Sequence, residues 1–341
     1  MNKYTAYERP FVTPGTHPLE TQQYTFETPV INNICNNIVH WVLNRTTGGL
    51  VHGWPRYGKT RFIRILTKVL CSRFPRTPIV SISADWTSAP SEKDFFRMLL
   101  KEAGREYMKS HRDTVAEMRD WLTDHLIART HRNGKVIFIV DEGQNLTDMH
   151  YQALISIYNR LERLGIALIV LLVGQHELLA VRSGYVARDQ DQIFGRFMLE
   201  DIEFHGVRSL AEIRGFLKAY DELSEFPHKS GWSFTRYYLP EWYNKGKRLL
   251  CHSEALWDMV TSMRGTNCAP VMREFPMLYL TSTIENFFRL TSDLIPAKDR
   301  MPIHSEAECN LCLKTALERS GYKKALRTWD TKKEDRKGSK S

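Results

Sequence analysis

No run of about 18 apolar residues, the length a membrane-spanning helix needs, occurs in the 341 residues of this chain. Met1 to Thr21 is polar and Pro-bearing and lacks the basic-then-apolar layout of a secretory leader, so a cytoplasmic protein with no membrane partner is expected. Cysteine is sparse: the six thiols are too scattered for a disulfide framework. Cys309-x-x-Cys312 has His304 nearby, but no second close pair completes a four-ligand zinc site, and the two read as buried thiols on a helix. No internal repeat is visible. Nor is one sign of charge in great excess. Of the net +9, residues 323–341 supply +5, from eight Lys/Arg against three Asp/Glu. Such a balance permits nucleic acid as a partner without requiring it.

What the chain does have is alternation. Residues 32–44 space Ile34, Ile38, Val39 and Val42 as one face of a helix. A short strand at Gly48–His52 runs into a Gly-rich turn, and 59–72 again has helical spacing. Strands are expected over Pro78–Ala84, Val136–Val140, Ile166–Val173 and Phe197–Phe204, and helices from Ser91 toward Lys109, from Asp113 to about His131 and over Tyr151–Leu164. The fully apolar runs are those of strands buried on both faces of a parallel sheet. Beyond residue 205 the pattern turns helical, over 209–224, 253–264 and 272–288, and 226–243 holds seven aromatic residues. The expected organisation is an extended N-terminal arm (1–30), an α/β nucleotide-binding domain with a central parallel sheet (31–205), a small helical lid with an aromatic-rich insertion (206–320) and a basic disordered tail (321–341).

Two motifs carry chemistry. Gly53-Trp-Pro-Arg-Tyr-Gly58-Lys59-Thr60 fits G-x-x-x-x-G-K-[ST], with a strand before it and a helix after. In such a loop, backbone N–H groups at a helix N-terminus face phosphate oxygens. Lys59 would bridge the terminal phosphates of ATP, Arg61 follows in the same turn, and Thr60 offers a hydroxyl to Mg²⁺. Pro55 removes one donor from the loop. The second motif, Val136-Ile-Phe-Ile-Val-Asp141-Glu142, ends a buried strand in two acids. Asp141 would hold Mg²⁺ and Glu142 would orient the attacking water. The following strand ends in Gly174-Gln175-His176, and Gln175 can stand between that acid pair and the γ-phosphate.

Asp141-Glu142-Gly-Gln-Asn-Leu, then Gly165-Ile-Ala-Leu-Ile-Val-Leu-Leu-Val-Gly174-Gln-His-Glu-Leu, then Asp191-Gln-Ile-Phe-Gly195-Arg196-Phe197 resemble the AAA+ regulators of DNA transposition called TniB and TnsC, over roughly residues 45–210. The chain departs from that pattern at Gly143, where Ala is usual, and at Gln175, where Thr is typical. The resemblance implies an AAA+ P-loop ATPase that assembles with itself as a ring or filament on double-stranded DNA. Such an assembly recruits a transposase at the direction of a target-selection protein, and ATP hydrolysis limits or dissolves it. It also implies that Arg196 is the arginine finger reaching a neighbour's γ-phosphate, with Arg188 as its rival and a surface ion pair as the structural alternative. Arg273, after Gly265-Thr-Asn, stands where a lid arginine contacts nucleotide.

For DNA, the basic region 109–132 offers Lys109, Arg112, Arg119 and Arg132, either as phosphate contacts or as a solvated helix face. The aromatic segment 226–243 either packs the lid or stacks on bases or a partner. A secretion- or replication-type AAA+ ATPase, a signalling P-loop NTPase and a DNA scaffold without turnover are the competing readings.

Overall fold

A computed structural model describes residues 8–105, 113–131, 133–265 and 273–329. The chain divides into two compact units: Val30–Phe204, and the residues up to Pro29 together with those from His205 onward.

The first unit takes up α2 (Pro29–Leu43), β1 (Gly48–His52), α3 (Lys59–Arg73), β2 (Ile79–Ser83), α4 (Glu92–Glu102), α5 (Val115–Arg129), β3 (Lys135–Asp141), α6 (Asp148–Glu162), β4 (Ala167–Gly174), α7 (Glu177–Ala187), α8 (Asp191–Phe197) and β5 (Glu200–Glu203). Its five strands are all parallel, in the order β2-β3-β4-β1-β5. Alternation along β3 and β4 divides the core between the two faces. Val136, Phe138, Val140, Leu168, Val170 and Leu172 pack with α4, α5 and α6. Ile137, Ile139, Ile169, Leu171 and Val173 pack with α2 and α3. Every one of these side chains is 0–1 % exposed. At roughly 1.5–3 kcal/mol for each fully buried large aliphatic side chain, this double burial supplies the unit's main cohesive term. The edge strand β5 reads Glu-Asp-Ile-Glu, and its exposed charges discourage pairing with another sheet.

Helix starts follow local chemistry. The Ser91 side chain caps α4 by accepting from the Asp94 N–H, and Thr114 with Glu117 forms a capping box on α5. The strand expected over Phe197–Phe204 is limited to Glu200–Glu203, because Phe197 closes the short helix α8. The helix expected to run from Ser91 toward Lys109 stops at Glu102, and Lys109 lies outside the described residues.

The second unit begins with α1 (Pro18–Thr21). It continues through α9 (Leu210–Lys218), a π-turn at Ala219–Leu223, α10 (Phe234–Tyr238), α11 (Pro240–Asn244), α12 (Ser253–Arg264), α13 (Met277–Thr291) and α14 (Glu306–Arg319). Two expectations are corrected here. Residues 8–29 are not an arm apart from the rest, because Leu19 is buried and Tyr24 donates to the buried Glu285 carboxylate at 2.9 Å. Gln22 bonds the same carboxylate at 2.8 Å, so α13 holds a buried charge that the N-terminal segment satisfies. The region from 321 onward is not disordered throughout. Residues 322–329 are helical, and Tyr322 is fully buried with its ring 4.8 Å from that of Phe275. Residues 330–341 lie outside the described residues. The aromatic segment packs this unit's interior: Trp232, Phe234, Tyr237 and Tyr238 are all buried.

His17 sits at the centre of that cluster, with the rings of Phe226, Phe234, Tyr237 and Tyr238 all within 5.1 Å of its own. Its Nδ1 accepts from the Leu19 N–H at 3.1 Å and so caps α1. Burial pushes the imidazole from 6.5 down to about 4. The unfolded chain therefore takes the proton first as pH falls. Stability is complete above about pH 6.5 and drains away toward pH 4, by about 3 kcal/mol at 1.36 kcal/mol per unit. Urea denaturation at several pH values should show this slope in the natural chain. It should be largely absent in His17→Asn, which keeps a capping oxygen but does not titrate. An unchanged slope in the variant would assign the titration to another group.

Candidate nucleotide site

The carboxyl ends of β1, β3 and β4 form one rim of the sheet, and the motif residues meet there. β1 delivers the chain into the loop 53–58. A Cβ on Gly53 would lie 2.1 Å from the Phe204 carbonyl oxygen, so no larger residue fits. Gly58 turns the chain into α3 at φ +105°, a left-handed conformation that disfavours a side chain. Lys59 and Thr60 thus open a 15-residue helix whose first N–H groups face the loop.

Lys59 is buried, and its Nζ donates to the carbonyls of Gly53 at 2.8 Å and Trp54 at 3.0 Å. Burial pulls its pKa below the ordinary lysine value, while Glu142, Asp141 and Glu177 act in the opposite direction. The Thr60 hydroxyl donates to Asp141 Oδ2 at 3.1 Å and joins the tips of β1 and β3 across β4. Burial raises the Asp141 pKa, opposed by hydrogen bonds from the Glu142 N–H (3.0 Å) and Thr60.

Glu142 follows at φ +53°, outside the strand geometry. Its Oε2 accepts from the Gln144 amide and from Gln175 Nε2 at 3.3 Å, and the Gln175 N–H returns a 3.1 Å bond to Gln144 Oε1. Glu142, Gln144 and Gln175 therefore form one closed network. Of its members Gln144 was not foreseen. Its only signal in the sequence is its place two residues after Glu142, in the turn Gly143–Asn145.

A second group also escaped sequence reading. His52 Nδ1 lies 3.2 Å from His176 Nδ1, and His52 Nε2 lies 3.4 Å from Asp201 Oδ2. The His176 ring stands 4.4 Å from that of Trp54 in the loop. Burial, then the adjacent His52, lowers the His176 pKa. For Asp201, burial alone would raise the pKa, but hydrogen bonds from Arg182 and His52 bring it below the ordinary value. The loop therefore rests on an imidazole pair anchored to β5.

Other expected residues lie elsewhere. A Cβ on Gly48, at the start of β1, would touch the Arg196 carbonyl oxygen at 2.9 Å. Arg196 thus stands at the amino-terminal rim, five strand residues or roughly 16 Å from the loop of its own chain. Its guanidinium lies over the Tyr158 ring at 5.1 Å and donates to the Gln192 carbonyl. Arg188 pairs with Asp148 at 3.3 Å and stacks on Tyr185. Arg61 lies in the first turn of α3, beside Thr60. Arg273 belongs to the helical unit, is exposed, and accepts at its carbonyl from Arg264.

Of the basic residues expected to meet DNA, Lys109, Arg112 and Arg132 lie outside the described residues. Arg119 lies 3.8 Å from Asp120 on α5. Neighbouring bases serve the fold. Arg105 donates to the Trp121 carbonyl at 2.6 Å, and Arg129 and His125 both engage the Ala103 carbonyl at the end of α4. Cys309 and Cys312 are buried free thiols on α14, and burial pushes the Cys309 thiol up to about 12.

Residues 44–181 match the family described as AAA domain. No curated protein matches the chain. Among solved structures, the chain is similar to the Aeropyrum pernix ORC2 protein in its ADPNP-ADP complexes, at a TM-score of 0.61 and 14% identity, over 89% of this chain and 71% of that one. It is also similar to Cdc6p from Pyrobaculum aerophilum, at a TM-score of 0.45 and 14% identity, over 88% of this chain and 65% of that one.

If the loop holds the phosphates, Lys59→Ala should lower ATP affinity at least about 100-fold, the scale expected when a buried site is deprived of a charge-assisted hydrogen bond. Equilibrium dialysis with labelled ATP measures it, and retained tight binding would overturn the assignment. The β1–loop–α3 sequence, the parallel sheet with β4 between β1 and β3, and the likeness to ORC2 together make residues 44–181 an AAA domain with an AAA+ P-loop fold.

Proposed function

We propose that the protein is an ATPase whose nucleotide state governs its assembly with itself on double-stranded DNA, and that the assembly recruits a transposase chosen with a target-selection protein. The observation that carries the ATPase part is the convergence of Lys59, Thr60, Asp141, Glu142 and Gln175 on one rim of the sheet. The transposition part rests on the sequence resemblance across residues 45–210.

Thr60 Oγ1 and Asp141 Oδ2 are hard oxygen donors 3.1 Å apart, a set suited to Mg²⁺. When bound, Mg²⁺ would neutralise charge on the β- and γ-phosphates. The chain's own residues do the rest. Loop N–H groups and Lys59 hold the phosphates of ATP, and a buried site strengthens each of those interactions. Glu142 orients and polarises the attacking water. Both of its amide bonds fall on Oε2, so Gln144 and Gln175 set the orientation in which Oε1 meets that water. Arg196, on the far rim from its own loop, is suited to serve a neighbouring copy rather than its own nucleotide.

The likeness to ORC2 favours a second reading, an ATPase of the replication-initiator type. The two part on the partner: ATP-dependent capture of a transposase by the DNA-bound protein supports the first, and its absence in assemblies that do form on DNA supports the second.

Glu142→Gln should bind ATP yet hydrolyse it at least about 100-fold more slowly, the scale of a missing general base. DNA-bound assemblies should then outlast those of the natural chain in electron micrographs. Phosphate release at the natural rate would assign the water to another residue. Arg196→Ala protein and Lys59→Ala protein should each be inactive alone, whereas a mixture should recover part of the activity, because some interfaces pair an intact loop with an intact finger. Absence of recovery in mixtures shown to co-assemble would count against Arg196.

A further inference from the structure

The amino-terminal rim of the sheet carries a concavity unrelated to the loop at Lys59. Its volume is about 380 Å³, and its lining among the described residues includes Arg45, Arg76, His131 and Lys135 but no carboxylate. Three connections build it: the one leading into β1, the α3–β2 turn and the α5–β3 turn. Six residue steps along β3 separate Lys135 from Asp141, roughly 20 Å at strand spacing, so the cavity is no part of the nucleotide site.

Two of these basic residues, Arg45 and Lys135, are held by contacts within the fold. Arg45 donates to the Asn133 carbonyl, which ties two of the three connections together. Arg45 and Asn133 both adopt left-handed backbone, at φ +56° and +57°. Such conformations are uncommon for residues with side chains and persist where the surroundings impose them. Lys135 is half-buried, with its ammonium 5.3 Å from the centre of the Phe74 ring. Burial and the nearby Arg45 charge both disfavour its protonated form. Two cations approach one another in a partly desolvated recess with no acid on its walls, and an anion there removes the repulsion and supplies the missing partner.

We propose that this recess is a phosphate-binding site, taking either a small polyphosphate or a phosphate of a nucleic-acid backbone. Arg45 and Arg76 offer planar donors suited to phosphate oxygens, Lys135 adds a point charge at the base, and Thr77 adds a hydroxyl. This assignment stands whether or not the chain hydrolyses ATP.

The test uses full-length Lys59→Ala protein, so that the loop's own phosphate affinity does not obscure the result. Pyrophosphate is titrated by calorimetry, and a fluorescent duplex by anisotropy over a range of salt. Both are repeated with Arg76→Glu and with Lys135→Gln added. Arg76 is exposed, so its replacement leaves the core intact, and circular dichroism checks both variants. The expected result is pyrophosphate binding that weakens at least tenfold in each variant. If duplex affinity also falls at least tenfold and the slope of log affinity against log salt becomes shallower by about one, a backbone phosphate is the occupant. If the duplex is unaffected while pyrophosphate binding disappears, the occupant is a small polyphosphate. A duplex effect without pyrophosphate binding assigns the site to the backbone alone. Unchanged affinity for both ligands in folded variants overturns the proposal. A chain that binds no duplex at all refutes the DNA part of the proposed function and leaves the pyrophosphate arm to decide this site.

Discussion

The structure around the candidate site depends on β4 lying between β1 and β3 with both faces of the sheet covered. In a parallel sheet every strand ends at the same rim, so the groups with no ladder partner gather there. The apolar stretches of β3 and β4 can sit only in the middle of such a sheet, since an edge would expose them. Placing β4 there separates the Thr60 and Asp141 tips by one strand and sets Gln175 beside the acid pair. The chemistry of the rim is thus a consequence of which runs are apolar on both faces.

That arrangement costs stability where it concentrates polar groups. Lys59 and Asp141 are both buried, and burial works against the charged form of each. Hydrogen bonds from the Thr60 hydroxyl and the Glu142 N–H offset part of the cost to the carboxylate. Glu142 is served differently: two side-chain amides hold it, and both belong to turns rather than strands. A carboxylate on strand backbone is fixed in place, whereas one held by amides at φ +53° can be released by rotation of a few side chains. A strand-held acid and an amide-held acid stand side by side, which suits the proposed division between holding phosphate and orienting water.

Much of this was legible in the residues. Period-two burial on both faces, the turn chemistry of Gly53 to Thr60, and the acids ending β3 are local signals, so the sheet and its motif residues follow from short windows of sequence. What was not legible depends on contacts remote in sequence. Nothing near His52 announces that His176 and Asp201 lie beside it, since strand order alone brings them together. The N-terminal segment has no periodicity, because its order comes from Tyr24 and Gln22 reaching Glu285 more than 260 residues away. The region from 321 onward looked disordered from its charge, yet Tyr322 anchors its first turns. The basic region 109–132 reads as phosphate contacts or a solvated face, yet Arg129 and His125 within it are committed to the end of a helix.

The two rims of the sheet therefore divide the labour. At the carboxyl rim the strands bring together two acids, amides and a buried lysine, a set suited to the proposed gripping and splitting of a phosphate. At the amino rim lie Arg196, held against Tyr158, and the cationic recess around Lys135, with no acid on the walls of the recess. Basic groups in a recess with no acid among its described lining residues are suited to negative charge from outside the chain. In the proposed assembly that charge comes from a neighbour's nucleotide at Arg196 and from a phosphate ligand at the recess.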